Sequence, residues 1–221
     1  MTERIVSMQC KICQHETKKL MHPSNGHIFH ECVNCHFIAK DSTFYLNDKM
    51  EFQQYEQHEN SIDDPRYVAF FEIFLTAAVF PFVNEGKKAF DYGSGPSPVL
   101  ARLLERDYGY NTAIYDLYYS PERIYPGQTF DLITTTEVVE HIPEPLDVFA
   151  ELKTLMKEDS ILAVMTLFHP EDEKKFWGWH YIRDFTHISL FTPKAMESVA
   201  EKVGLEIVYC DDYRYTTFKL K

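Results

Sequence analysis

The string KKAFDYGSGPSPVL, residues 87–100, runs a short apolar segment into two glycines and two prolines, and few folds accommodate that order. A buried strand that ends on glycines and passes at once into a helix is the turn of a parallel α/β sheet. Parallel neighbours need a crossover of a dozen residues or more, usually helical. The remaining chain keeps the alternation. A helix is expected from Pro65, behind the acidic pair Asp63 and Asp64, to about Phe80. After the strand KKAFDY comes a helix from about Pro98 to Arg106 with Ser97 as its N-cap, then a second strand, TAIYD, ending at Asp116. FDLITTTEVV is a third strand and EPLDVFAELKTLM a helix with apolar Leu146, Phe149, Leu152, Leu155 and Met156. ILAVMTLF, apolar throughout, suits the middle of a parallel sheet. PKAMESVAEKVG reads as a helix, and LEIVYC and YTTFKL as two closely spaced closing strands, antiparallel to each other. The fold class is therefore α/β, doubly wound and mostly parallel, with an antiparallel last strand and a ligand beyond the carboxyl ends of the strands.

With 221 residues, 45% of them hydrophobic and 25% charged, the chain fits one such domain plus a small appendage. The formal charge of -12 argues against a broad nucleic-acid surface, because affinity for phosphate backbones rests on clustered Lys and Arg. Residues 1–40 alone are net basic: Arg4, Lys11, Lys18, Lys19 and Lys40 stand against Glu3, Glu16 and Glu31. Any contact with a polyanion would start there. The longest apolar run, YVAFFEIFLTAAVFPFV, is interrupted by Glu72 and broken by Pro81, which predicts no membrane span. The opening residues have no basic, apolar, small-residue pattern, so a cytoplasmic location is expected.

Four of the five cysteines form C-x2-C pairs, Cys10 with Cys13 and Cys32 with Cys35, eighteen residues apart. That spacing is that of structural zinc, in which each pair turns two thiolates toward one tetrahedral ion. Four sulfurs close the coordination sphere, so the metal is expected to be structural, with His15, His27, His30 and His36 on the hairpin faces. Residues 1–40 are thus read as a zinc-ribbon-like hairpin and the polar, acidic residues 41–64 as a connector or lid. Residues 65–221 form the main domain. Cys210, alone in LEIVYC, is read as a buried structural thiol.

The glycine loop does not suit a phosphate. Gly93 and Gly95 are followed by Pro98 where a dinucleotide loop has its third glycine, and Pro96 and Pro98 have no N–H to give an anion. With Asp91 included, the string D-x-G-x-G-x-S resembles the cofactor loop of class I S-adenosylmethionine-dependent methyltransferases, with Ser97 in place of the last glycine. Asp116 at the end of the second strand, and FDLITTTEVVEHIPEP with Asp131 opening its strand and Glu137 to His141 closing it, resemble the same family. The tail WHYIRDFTHISLFTPKAMESVAEKVGLEI is similar to a subgroup with an N-terminal cysteine motif. The resemblance covers roughly residues 51–221.

It implies a Rossmann-like domain whose loop, Gly93, Ser94 and Gly95 with Asp91 behind them, wraps the methionyl and ribose parts of S-adenosylmethionine. Asp116 would grip the ribose hydroxyls, and Glu137 would face the cofactor. Only fourteen residues separate Asp116 from Asp131, where the family has about forty, so the usual third strand and its helix are expected to shrink to a stub around ERIY. Leu117, Tyr118 and Tyr119 are then expected to enclose the adenine.

Methyl transfer needs the acceptor in line and, for an O–H or N–H acceptor, a base. Candidate bases are His187, then His141, with Glu137 beside them. The segment after ILAVMTLF also brings His169 as a further candidate base; Trp177, Trp179, His180, Tyr181, Arg183 and Asp184 are candidates to line the acceptor pocket, and His58, Asn60 and Tyr67 to fold over the cofactor. The acceptor is expected to be a small molecule. Two other functions are compatible with the sequence: methylation of RNA with the cysteine hairpin as its contact, and a non-catalytic, zinc-dependent interaction module.

Overall fold

The computed structural model describes residues 8–56 and 61–221. His58 and Asn60 lie outside the described residues.

The cysteine region folds as three short strands, β1 (Thr17–Met21), β2 (Ile28–Cys32) and β3 (Ile38–Lys40). Next comes α1 (Asp48–Tyr55), a helix inside the segment that the sequence presents as a connector. Its start is capped locally: the Asn47 side chain accepts the Met50 N–H (3.0 Å), and Asp48 and Glu51 occupy the positive N-terminal turn. α2 (Pro65–Phe74), capped by Asp64, continues as a π-helical turn to Val79. β4 (Lys88–Tyr92), α3 (Val99–Tyr108), β5 (Asn111–Tyr115), β6 (Phe130–Thr136), α4 (Pro145–Thr154) and β7 (Met156–Met165) then alternate in the expected order, but Met156 opens β7 instead of closing the helix, and Thr166–Phe168 lie beyond the strand. The chain finishes with α5 (Glu173–Gly178), β8 (Ser189–Leu190), α6 (Pro193–Val203), β9 (Leu205–Cys210) and β10 (Tyr215–Leu220). Ser97 is not the cap of α3: the helix starts one residue later than expected, Pro98 stands at the cap, and no side chain caps it.

The main sheet has the order β5-β4-β6-β7-β10-β9. β5, β4, β6 and β7 are mutually parallel, and β10 runs antiparallel to both its neighbours. Successive residues serve opposite faces, as strand geometry requires. Ala89, Leu132, Ile161 and Ala163 meet α2 and α3, whereas Phe90, Ile133, Leu162 and Val164 meet α4 and α6. β5 ends the sheet because no strand follows it before β6. Where a crossover helix would cover that face, Tyr125 of the stub lies fully buried, its ring 4.7 Å from Phe90 and 5.4 Å from Tyr115. One aromatic side chain fills the place of a missing element.

The second sheet, β1-β2-β3-β8, is antiparallel and takes its last strand from the far end of the chain. Ile38 pairs with Leu190 and Ala39 with Ser189. The cysteines, Ile12 and Phe37 share one apolar core with α4 and α6, so the hairpin rests on the body of the protein. Cys210 is half-buried, less enclosed than the apolar sequence around it predicts. Among the described residues no helix is long and apolar enough to cross a membrane.

Candidate functional site

The loop after β4 is fixed by its own backbone. Gly93 and Ser94 N–H donate to the Tyr115 carbonyl (2.7 and 3.1 Å). Gly93 has φ +83°, and a Cβ there would lie 2.2 Å from Val138 Cγ2, so neither conformation nor space admits a side chain. Gly95, at φ +69°, would point a Cβ into open space, and it lines the cleft. Its N–H donates to Asp116 Oδ2 (2.9 Å), while Asp116 Oδ1 accepts the N–H groups of Tyr118 and Tyr119 (3.0 Å each). A carboxylate has about four lone-pair sites, so three amides orient Asp116 and leave capacity for a further donor. Ser94 Oγ is buried without a partner. Asp91 is 2% exposed and accepts Thr134 Oγ1 (2.8 Å). Burial pushes its carboxyl up to about 7 against the pull of that bond, and the Asp116 charge adds to the rise.

Beside Asp116, Leu117 is exposed while the Tyr118 ring lies tilted against Phe52 (5.3 Å) and Tyr55 (5.6 Å) of α1. Phe52 also approaches Tyr119 (5.9 Å). Helix α1 thus walls the side of the cleft where the stub leaves the sheet open. Tyr67 lines it from α2.

At the end of β6 the chain turns through Glu137, which has φ +54°, an uncommon conformation for a residue with a side chain. Its N–H is held by the Met165 carbonyl (2.8 Å). Tyr181 donates its hydroxyl to Glu137 Oε2 (2.9 Å) and contacts Glu140 Oε1. Burial, aided by Glu137, raises the Glu140 carboxyl well above the usual range, and Glu140 Oε2 has no partner. Burial also raises Glu137, which Arg214 opposes. His187 Nδ1 meets the Tyr181 carbonyl (2.7 Å) and His141 Nδ1 the Thr186 carbonyl (3.2 Å). These contacts assign the neutral-ring proton to Nδ1 and the basic lone pair to Nε2. The two rings lie 4.8 Å apart. Ile188 ties the floor to the hairpin: its N–H donates to the Glu140 carbonyl and its carbonyl accepts the Lys40 N–H (2.8 Å each).

The structure thus gathers Asp91, Gly93, Ser94, Gly95, Asp116, Leu117, Tyr118, Glu137, His141, His180, Tyr181, Asp184, His187 and Tyr67 around one cleft. Trp177 stands elsewhere, edge-on to His22 (5.2 Å) and Phe29 (5.9 Å) under the hairpin. Arg183 is exposed and lies outside the cleft lining. His169 is buried, its Nε2 on the His36 carbonyl (2.7 Å). Tyr55 and Arg214 line the cleft without having been candidates, and Glu140 is buried behind it against the Tyr181 hydroxyl. Glu140 had a signal, since it follows Glu137 by one short turn. Arg214 had none, because only the return of β10 beside β7 brings its loop to the cleft.

The four cysteine sulfurs lie within 4.8 Å of one another. The separations Cys10–Cys35, Cys13–Cys32 and Cys13–Cys35 are 3.6, 3.3 and 3.5 Å. Tetrahedral thiolates at ~2.3 Å from zinc would lie roughly 3.8 Å apart. Backbone N–H groups of Ile12, Asn34 and Cys35 point at Cys10 and Cys32 sulfurs (3.4 Å), an arrangement that stabilises thiolate charge.

The cleft measures about 770 Å³, within the range of small-molecule sites. A family model described as a methyltransferase domain matches residues 66–209. Two ubiquinone biosynthesis O-methyltransferases, from Glaesserella parasuis serovar 5 and Haemophilus ducreyi, are 42% and 39% identical over 40 and 41 residues, or 18% and 19% of this chain and 17% of each relative. The match thus spans about a sixth of the curated relatives' length. Mitomycin 7-O-methyltransferase aligns with TM-score 0.52 and 15% identity over 77% of this chain and 60% of that one. An O-methyltransferase family protein from Burkholderia thailandensis gives 0.57 and 15% over 72% and 58%. A Planctomyces limnophilus O-methyltransferase family 2 protein in complex with apigenin gives 0.53 and 11% over 74% and 62%. At such identities the likeness is one of fold.

Proposed function

Because the chain belongs to the methyltransferase domain family, we propose that it transfers a methyl group from S-adenosylmethionine to a small-molecule acceptor held against Glu137, His141 and His187. The observation that carries this reading is the pairing of Gly95 with Asp116. A glycine whose missing side chain opens onto the cleft stands beside a carboxylate already oriented by three amides. This suits a neutral diol such as a ribose, and the unpartnered Ser94 Oγ gives the same loop another group to satisfy.

In this reading Asp116 accepts the ribose hydroxyls, and Leu117 and Tyr118, backed by α1, cover the adenine. Gly93, Ser94 and Gly95 pass beneath the methionyl part, with Asp91 buried behind them. Bound there, S-adenosylmethionine supplies a sulfonium methyl carbon open to in-line attack. Glu137 and Tyr181 set the far wall, and His187, then His141, take the acceptor proton at Nε2. Tyr67, His180 and Asp184 border the acceptor space, while Trp177 and Arg183 are not among the residues that line the cleft. The four cysteines we assign to a structural Zn(II). Its hairpin braces the acceptor wall through Lys40, whose Nζ donates to the Phe185 carbonyl (2.8 Å), and through Thr192 on the Cys35 carbonyl (3.0 Å).

The test is a mass-spectrometric screen of metabolite extract incubated with the protein and methyl-labelled S-adenosylmethionine. A labelled small product, absent with Asp116→Ala, is expected. Label appearing only in RNA, or no product with the cofactor left intact, would reject the reading.

A further inference from the structure

Among the described residues that line the cleft, Arg214 is the only arginine or lysine. It stands in the turn between β9 and β10, and that turn is fixed from within. Asp211 Oδ1 accepts the N–H groups of Tyr213, Arg214 and Tyr215 (2.9, 2.7 and 2.8 Å), and the Arg214 carbonyl accepts the Thr166 N–H (3.0 Å) just past β7. The guanidinium carbon lies 5.5 Å from the centre of the Phe70 ring on α2 and 5.0 Å from that of Tyr213, two aromatic contacts that hold its direction. The fold does not use up its hydrogen-bonding capacity. Nε is buried without a partner, and no ion pair among the described residues includes Arg214. Glu137 feels the guanidinium charge, but its Oε2 accepts the Tyr181 hydroxyl (2.9 Å). A buried donor left unmatched is costly, so the fork suits a group that the chain itself does not supply.

We propose that Arg214 binds a carboxylate of the methyl acceptor, which makes the acceptor a carboxylic acid. A guanidinium presents two parallel N–H donors that match the two oxygens of a carboxylate. Phosphate has the same fork geometry but up to twice the charge, and Asp91, Asp116, Glu137 and Asp184 border the same cleft. One cation among those acids suits a single negative charge. Sheet order says which ligand brings it. Because β10 runs antiparallel to β7, its first residues stand at the edge where β4, β6 and β7 end. The order β4-β6-β7-β10 places Arg214 three strands from the glycine loop, roughly 14 Å along the sheet, with Glu137 of the intervening β6 turn between them. Arg214 is thus on the acceptor side of Glu137, away from the loop that takes the cofactor. Tyr67 and Phe70, stacked at 6.1 Å, line the cleft beside it and offer apolar surface to the body of such an acid. The inference rests on the methyltransferase reading for the identity of the ligand as acceptor, but not for the binding of a carboxylate.

The experiment is titration of benzoate into the full chain, with and without S-adenosylhomocysteine, while heteronuclear NMR follows the Arg214 Nε–H. Benzamide, similar in shape but uncharged, is the comparison. Benzoate should shift that resonance saturably and bind at least ~10-fold more tightly than benzamide. Arg214→Gln, confirmed as folded by circular dichroism, should lose benzoate affinity at least ~10-fold while keeping its affinity for S-adenosylmethionine, and Arg214→Lys should recover part of the loss. The labelled product of the extract screen should carry a free carboxylate, read as the mass gained on carbodiimide coupling to an amine. Equal binding of benzoate and benzamide, or benzoate affinity unchanged in Arg214→Gln, would overturn the site. Weaker S-adenosylmethionine binding in Arg214→Gln, or a labelled product without a carboxylate, would overturn its assignment to the acceptor. Benzoate binding at Arg214 in a chain that does not bind S-adenosylmethionine would uphold the carboxylate site and reject the methyltransferase reading instead.

Discussion

The two glycines of the loop should fail in opposite ways. At Gly93 an alanine meets a left-handed backbone, φ +83°, at about 1 kcal/mol, and a steric conflict at about 1–3 kcal/mol. Val138 must shift to make room, because its Cγ2, Cγ1 and Cβ would stand 2.2, 2.9 and 3.1 Å from the new methyl. The sum, about 2–4 kcal/mol, is a large share of the roughly 5–15 kcal/mol that holds a typical domain together. At Gly95 the backbone cost is similar, but nothing lies within 4 Å of the new methyl, so stability should drop by only about 1 kcal/mol. The methyl instead occupies ligand space, and affinity for S-adenosylmethionine should fall at least ~10-fold, about 1.4 kcal/mol. Urea unfolding of the cofactor-free protein and calorimetric titration measure the two effects separately. Val138→Ala combined with Gly93→Ala should show a favourable coupling of about 1–3 kcal/mol. Coupling below about 0.5 kcal/mol, or normal cofactor affinity in Gly95→Ala, would refute the reasoning.

Three other outcomes follow from the buried polar groups and the hairpin. Asp91, pushed up to about 7 in the fold, favours folding while protonated below about pH 4 and loses that advantage as the pH rises toward 7. Asp91→Asn should flatten this part of the stability profile, worth about 4 kcal/mol across the window, as read by urea unfolding at stepped pH. Tyr181→Phe, which removes the donor shared by Glu137 and Glu140, should cost about 1–3 kcal/mol in thermal or urea unfolding. Cys32→Ser should weaken metal retention and speed hydrogen exchange at 186–192, where β8 and Thr192 lean on the hairpin, while leaving exchange in β4 and β6 near that of the unsubstituted protein.

The alternation of strands and helices was legible because buried parallel strands write continuous apolar runs, as ILAVM does in β7. The short span from Asp116 to Asp131 likewise announced the lost strand, since chain length alone forbids it. That Tyr125 would plug the vacated face was not legible, because a tyrosine in a polar stub looks like surface until the sheet curves behind it. The connector hid α1, whose apolar residues face the tyrosines after β5 instead of one regular core. The pairing of β3 with residues 189–190 has no local signature at all, and it decides which face of the hairpin meets the floor. Trp177 read as a pocket residue by proximity in sequence to Tyr181, yet α5 turns it toward His22 and Phe29. Glu140 was next to the expected residues and lacked only the knowledge that its turn is buried.

The most direct test of the central claim is calorimetric titration of the full chain with S-adenosylmethionine, beside Asp116→Ala. One site per chain is predicted, with affinity lowered at least ~10-fold by the substitution, about 1.4 kcal/mol. Absence of binding at millimolar cofactor, or equal binding by Asp116→Ala, would contradict the account.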